Sequence, residues 1–338
     1  MAVRTPLRTD AAVDALVGRR VLLKAEDQQH TGSYKLRGAF VALAAASSAQ
    51  RAAGVVTASS GNHARGLVHA ARLNKTSATV VMPADAPRVH RAAIKAIDHR
   101  TKVIHYDQNE AWPDALAQEI AYRDRLTLIP AANHASVIAG AGTVALEMLE
   151  EAPDLAAILV PIGGGALAAG TVLAARQLKS RVKVIGVEPG AAADTHASVR
   201  TGRRIQIKRP APTIADGLRQ TEPAPIPFDI IRQGLADIIL VSDRDIAEAM
   251  ALLWRHYGTT AEPSGAVAFA GLIRFAAQLP KGRLGVVVSG RNVDWTTFAG
   301  LTGGSLPRLD STANPAPQQA AEPAKRPARR GLAAPEAS

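Results

Sequence analysis

Short runs of branched apolar residues alternate along the chain with longer segments rich in Ala and Leu. The runs at 21–23, 54–57, 78–82, 102–106, 126–129, 157–161, 183–187, 238–241 and 284–289 read as strands. The segments at 35–46, 62–72, 88–96, 110–122, 137–150, 167–177, 243–256 and 265–278 read as helices. Alternating strands and helices predict parallel sheets with helices on their faces. So many βα units exceed one comfortable sheet, and two α/β domains are the more economical arrangement. Ligands then belong at the carboxyl ends of the strands, where loops meet helix N-termini. From about Leu306 the periodicity stops in a Pro-, Ala- and Arg-rich stretch, which predicts a disordered tail over 306–338 and no C-terminal regulatory module.

Composition narrows the classes. Hydrophobic residues make up 47% of the 338 residues and charged ones 20%, values of a folded globular chain rather than a disordered one. With no cysteine, disulfides, thiolate metal sites and cysteine nucleophiles are excluded together. The N-terminus lacks an apolar leader segment and no apolar run reaches the ~18 residues of a membrane span, so a cytoplasmic protein without a membrane partner is expected. The net charge of +11 raises nucleic acid as a partner. Its arginines are dispersed among Ala-rich segments, and aromatic residues are only 4% of the chain, too few for base stacking. No nucleic-acid partner is expected; the positive potential suits anionic substrates and cofactors.

Four strand–helix junctions carry candidate chemistry. After 157–161 comes Gly163-Gly164-Gly165-Ala166-Leu167, where bare backbone N–H groups and a helix dipole can hold a phosphate; a tight strand-to-helix turn explains the same glycines. After 54–57 comes Ser59-Ser60-Gly61-Asn62-His63, suited to a carboxylate or to simple N-capping. Thr31-Gly32-Ser33-Tyr34-Lys35-Leu36-Arg37-Gly38-Ala39 sets a lysine at a helix start among small and apolar residues. Desolvation there favours the neutral amine that a Schiff base needs, although most lysines are solvated charges. Val288-Ser289-Gly290-Arg291-Asn292 closes the last strand and aims a hydroxyl at the same crevice.

In this order, and together with Val137-Ile138-Ala139-Gly140, Gly186-Val187-Glu188-Pro189, Thr213-Ile214-Ala215-Asp216-Gly217 and Glu262-Pro263-Ser264-Gly265, these segments resemble the fold-type II pyridoxal-phosphate enzymes of the threonine/serine dehydratase and serine racemase family. The resemblance runs from about Val21 to Asp294. It implies a two-domain α/β fold of the tryptophan-synthase-β type. The large cofactor domain then spans 1–53 and 133–305, and the small mobile domain spans 54–132. Lys35 holds the cofactor and moves the α-proton, Tyr34 packs on its ring, and Asn62 bonds its phenolic oxygen. Ser289 faces the pyridine nitrogen; a neutral serine makes the ring a modest electron sink, which suits elimination better than transamination. Gly163, Gly164, Gly165, Ala166 and Leu167 grip the phosphate, and Gly217 and Glu262 line the pocket. Ser59, Ser60, Gly61, Asn62 and His63 hold the substrate carboxylate.

The implied reaction is dehydration of a β-hydroxy amino acid such as L-threonine or L-serine to a 2-oxo acid and ammonia, by a homodimer. Ser60 keeps a racemase, or a bifunctional racemase and dehydratase, as an alternative, because its hydroxyl can protonate the substrate face opposite Lys35. Glu188, Asp194 and the carbonyl of Ala192 resemble the family's Mg²⁺ or Ca²⁺ site; Glu188 as a cap for the following loop is the competing explanation. Departures from the family pattern concern the substrate. Pro130-Ala131-Ala132-Asn133-His134-Ala135 replaces a His-Pro loop, so Asn133 and His134 are expected to read a more polar side chain, with hydroxyaspartate among the alternatives. Arg291 stands where a small residue is usual beside the ring, Ala166 ends the glycine run early, and His90 replaces a lysine. A catalytically silent binding protein is the non-enzymatic alternative, opposed by the intact Lys35 and glycine loop.

Overall fold

In a computed structural model of the chain, residues 1–304 are described apart from Ser60, Asp85, Pro87, 108–112 and 208–210. The expected tail at 306–338 and Ser60 therefore lie outside the described residues. Two sheets organise the rest. The six-stranded sheet runs β1 (Leu7–Arg8), β2 (Val21–Ala25), β10 (Leu284–Val288), β7 (Ala157–Pro161), β8 (Lys183–Pro189), β9 (Asp237–Val241) in spatial order. All neighbours in it are parallel except the antiparallel pair β1–β2. The second sheet, β5 (Lys102–Tyr106), β4 (Ala78–Pro83), β3 (Val55–Ala58), β6 (Thr127–Leu128), is wholly parallel. Its strands come entirely from the middle of the chain, and those of the larger sheet from both sides of it.

Parallel strands need crossover helices on both faces, and the Ala-rich segments supply them: α2 (Lys35–Ala45), α4 (Asn62–Leu73), α7 (Ala135–Glu151), α8 (Ala166–Gln177), α11 (Asp243–Tyr257) and α12 (Pro263–Arg274). The helix expected over 265–278 instead opens at Pro263, whose fixed φ suits a first turn, and ends at Arg274. Helix α6 (Pro113–Arg123) begins at Pro113, and the expected residues 110–112 lie outside the described ones. β1 and the helices α1 (Ala11–Val17), α3 (Ser48–Ala53), α9 (Asp194–Thr201), α10 (Pro225–Gly234) and α13 (Trp295–Leu301) have no counterpart in the sequence reading. They are short, and most alternate polarity too irregularly to show a period. Helices α7 and α8 cross at Gly142 and Gly170, where a Cβ on Gly170 would lie 2.5 Å from Gly142 N. No described helix is long and apolar enough to cross a membrane.

Beneath α2 the core holds charge. Arg37, at 3% exposure, pairs with Glu26 at 2.8 Å and with Glu147 at 2.7 Å, and Lys24 on β2 also pairs with Glu147. These bonds tie β2, α2 and α7 together next to the loop that carries Lys35. An isolated bridge between Ser33 and Gly290, with Tyr34 N donating to Ser289 O at 3.1 Å, joins that loop to the end of β10.

Candidate active site

The carboxyl ends of β3, β7 and β10 and the start of α2 converge on a cavity of about 190 Å³. Tyr34, Lys35, Ser59, Gly61, Asn62, His63, Gly163, Gly164, Gly165, Leu167, Gly217, Glu262 and Ser289 line it, so nearly all the residues singled out in the sequence meet in one place. Ala166 is buried in the first turn of α8 beside the glycine loop.

Lys35 opens α2, half-buried, and its Nζ donates to Ala131 O at 3.0 Å and lies 5.3 Å from the centre of the Tyr34 ring. Gly165 caps α8 at φ +86°, a left-handed conformation that favours glycine. A Cβ on Gly163 would lie 2.6 Å from Gln220 Oε1, and one on Gly164 2.7 Å from Ala132 Cβ. The loop must stay bare, and α8 points its positive end at it.

At the second helix start, Ser59 Oγ accepts from the N–H groups of Gly61 and Ala64, both at 3.3 Å. The N–H groups of Asn62 and His63 have no acceptor among the described residues. The His63 imidazole is fully buried, and burial with the nearby Lys35 charge drives it down to about 3. It is therefore neutral, and because a carbonyl can only accept, Nε2 donates to Ile129 O at 3.0 Å and leaves Nδ1 as a bare acceptor. Its side chain thus cannot donate to a carboxylate; its backbone can.

Asn62 donates to Glu262 and accepts from Asn292, which also donates to Thr31 O at 2.9 Å. Burial, and then the neighbouring Asp216, push Glu262 up to about 8. Gly217 N donates to Ser264 Oγ at 2.9 Å, and Ser289 Oγ sits 3.5 Å from Ser264 O, at the outer limit of a hydrogen bond.

Four polar lining residues escaped the sequence reading or its assigned roles: His90, Asp216, Gln220 and Ser264. His90, known only as a departure from a lysine, is 6% exposed with Nδ1 unpartnered. Two expected residues are not brought to the cavity. Asn133 lines an adjoining outer chamber, where its Oδ1 accepts from Ile226 N at 3.1 Å and tethers the start of α10. Arg291 is exposed and lines a separate surface cleft with Arg8, Asp27 and Thr259, so it neither clashes with a ring in the cavity nor adds charge to it. Away from the cavity, Glu188 at the end of β8 accepts from Thr195 N at 3.1 Å and His196 N at 2.8 Å. Asp194, at the start of α9, is 1% exposed with both carboxylate oxygens unpartnered, and Ala192 lies in the 3-10 turn between. Among the described residues no cluster of three or more His, Asp or Glu could hold a metal.

An amine facing a bare glycine loop at a helix start, with a neutral serine hydroxyl in the same cavity, fits pyridoxal phosphate: a carbonyl-reactive group, a phosphate cradle and a partner for a ring nitrogen. The sequence profile of the pyridoxal-phosphate dependent enzymes matches residues 2–290. The chain belongs to that family. It is 41% identical over 303 residues, 90% of this chain and 94% of the relative, to an L-threo-3-hydroxyaspartate ammonia-lyase of Pseudomonas sp. It is 38% identical to a serine racemase of Schizosaccharomyces pombe over 88% of this chain and 91% of that one. Among solved structures, the processed form of threonine deaminase isoform 2 from Solanum lycopersicum superposes with a TM-score of 0.84 at 29% identity, covering 90% of this chain and 88% of that one.

Proposed function

We propose that this enzyme is an ammonia-lyase that removes water from a β-hydroxy amino acid and releases a 2-oxo acid and ammonia. The observation that carries the reading is one cavity shared by Lys35, the bare loop Gly163–Gly165 and the N-terminal residues Asn62 and His63 of α4. Bound pyridoxal phosphate supplies the electron sink that makes the substrate's α-hydrogen acidic. The chain's own residues do the rest. Gly163, Gly164 and Gly165, with the first turn of α8, hold the phosphate, and Ser289 stands where it can meet the ring nitrogen. The Asn62 and His63 backbones bind the α-carboxylate. Lys35 then moves the α-proton. The Pseudomonas relative favours hydroxyaspartate within the substrate class; serine and threonine are its neighbours.

The test is release of 2-oxo acid from L-threo-3-hydroxyaspartate, L-serine, L-threonine and D-serine by the cofactor-loaded protein. Release from at least one, abolished in Lys35→Ala, is expected; no release from any refutes the reading. Racemisation is the second reading, favoured by Ser60 in the sequence and by the likeness to a serine racemase, and recovery of the opposite enantiomer from the same reactions would establish it. Buried Glu188, the unpartnered oxygens of Asp194 and the Ala192 carbonyl supply hard oxygen donors that suit Mg²⁺ or Ca²⁺. A homodimer is tested by light scattering and cytoplasmic location by fractionation.

A further inference from the structure

The inner cavity adjoins an outer chamber of about 480 Å³, and Ala58, Ala131, Gly164 and Gln220 line both. Three of these four are alanine or glycine, so only Gln220 carries a side chain long enough to stand in the opening. Two guanidinium groups line the outer chamber. Arg204 is committed, with its terminal nitrogen 2.7 Å from Glu222 and its Nε donating to Pro223 O at 2.9 Å. Arg219 is not. Its Nε donates to Thr213 O at 2.9 Å, and no carboxylate lies within ion-pair distance of it among the described residues. Thr213 is itself anchored. Its Oγ1 donates to Asp243 Oδ1 at 2.6 Å, and Ile214 N donates to Asp243 Oδ2 at 3.1 Å, at the start of α11. The stem of Arg219 is thus held at Nε while its two terminal amino groups are left as a fork.

The inner cavity offers a second carboxylate nothing comparable. Its basic lining residues are Lys35, His63 and His90, and burial lowers both imidazoles toward their neutral forms. Asp216 and Glu262 line the same space. In the outer chamber Asp114 is pushed up by burial, which weakens it as a competing anion for Arg219.

We propose that Arg219 determines specificity for the distal carboxylate of a dicarboxylic β-hydroxy amino acid, gripping it from the outer chamber while the α-carboxylate is held at Asn62 and His63. The proposal rests on the ammonia-lyase reading. A carboxylate meets the fork bidentately, whereas the hydrogen of serine or the methyl of threonine at that position gives it no acceptor.

Two measurements on the holoenzyme test it. In calorimetric titration, succinate, a non-reacting dicarboxylate, is expected to bind about 30-fold more tightly than propionate. In Arg219→Ala that preference falls to about threefold or less, and Arg219→Lys, a point charge without the fork, lies between. In turnover, Arg219→Ala lowers kcat/KM for L-threo-3-hydroxyaspartate about 30-fold more than for L-serine. Equal binding of succinate and propionate by the unaltered enzyme, or equal losses on both substrates, overturns the proposal. Failure of the ammonia-lyase reading looks different: no 2-oxo acid from any substrate, with the succinate preference present and lost in Arg219→Ala.

Discussion

Replacing Glu262 by glutamine isolates the cost of burying a carboxyl beneath Asn62. The side chain is 4% exposed, and burial raises it to about 8 from an ordinary 4.5. A raised acid favours its neutral form in the fold, so its contribution is intact below the unfolded value and is lost as pH rises through the folded one. Between those limits the unfolded chain ionises and the folded chain does not, a difference of about 5 kcal/mol once both have titrated. Glutamine preserves shape, which matters because Glu262 Oε1 occupies the space a Cβ on Gly290 would need, at 2.1 Å. It also keeps an oxygen for the Asn62 amide. Urea unfolding of the cofactor-free protein from pH 5 to 9 is the assay. The Glu262→Gln midpoint should fall with rising pH much less than the wild-type midpoint, with the gap opening above pH 5 and levelling beyond pH 8. Other raised carboxyls, Glu188 and Asp194 among them, are common to both proteins and cancel in the difference. Parallel curves would refute the reasoning.

Other expectations follow from single contacts. Gly165→Ala forces a side chain into φ +86° and against Pro227 Cβ at 2.8 Å, costing about 1–2 kcal/mol for the backbone alone; titration with pyridoxal phosphate followed by visible absorption should show weakened binding. Arg37→Met leaves Glu26 without its buried cation and Glu147 with Lys24 alone, a loss of about 3–5 kcal/mol by the usual cost of breaking such pairs, read from the urea midpoint. Added Mg²⁺ or Ca²⁺ should raise the melting temperature of the unaltered protein and not that of Glu188→Gln; an equal response in both removes Glu188 from the cation site.

The elements legible in the sequence are those whose signal is local. Strands such as β7 and β3 are short apolar runs, each ending in small and polar residues, so their junctions with α8 and α4 announce themselves. The glycine loop and Ser289 were legible for the same reason, because each follows a strand end directly, and the Lys35 loop because it opens a helix. His90, Asp216, Gln220 and Ser264 were not: Asp216 and Ser264 sit inside segments that carried the resemblance and His90 at a departure from it, but no local signal aims their side chains at the cavity. Asn133 lines the outer chamber rather than the inner cavity, with its Oδ1 taken by Ile226 N. Arg291 misled. Its backbone N–H is held by Gly32 O at 2.9 Å, and its side chain lies on the surface.

The fold around Lys35 removes competing proton carriers. His63 is held neutral by burial and fixed in one tautomer by Ile129. His90 is lowered by the same cause, and Glu262 keeps its proton to about pH 8. A charged imidazole at His63 would repel the Lys35 ammonium, and an ionised Glu262 would attract cations toward Asn62; both would couple the site to pH in the neutral range. An incoming amino acid also faces the helix starts of α4 and α8. The helix starts are backbone dipoles that no proton can switch off. The backbone donors of Asn62, His63 and the glycine loop therefore hold anions without a titrating group of their own.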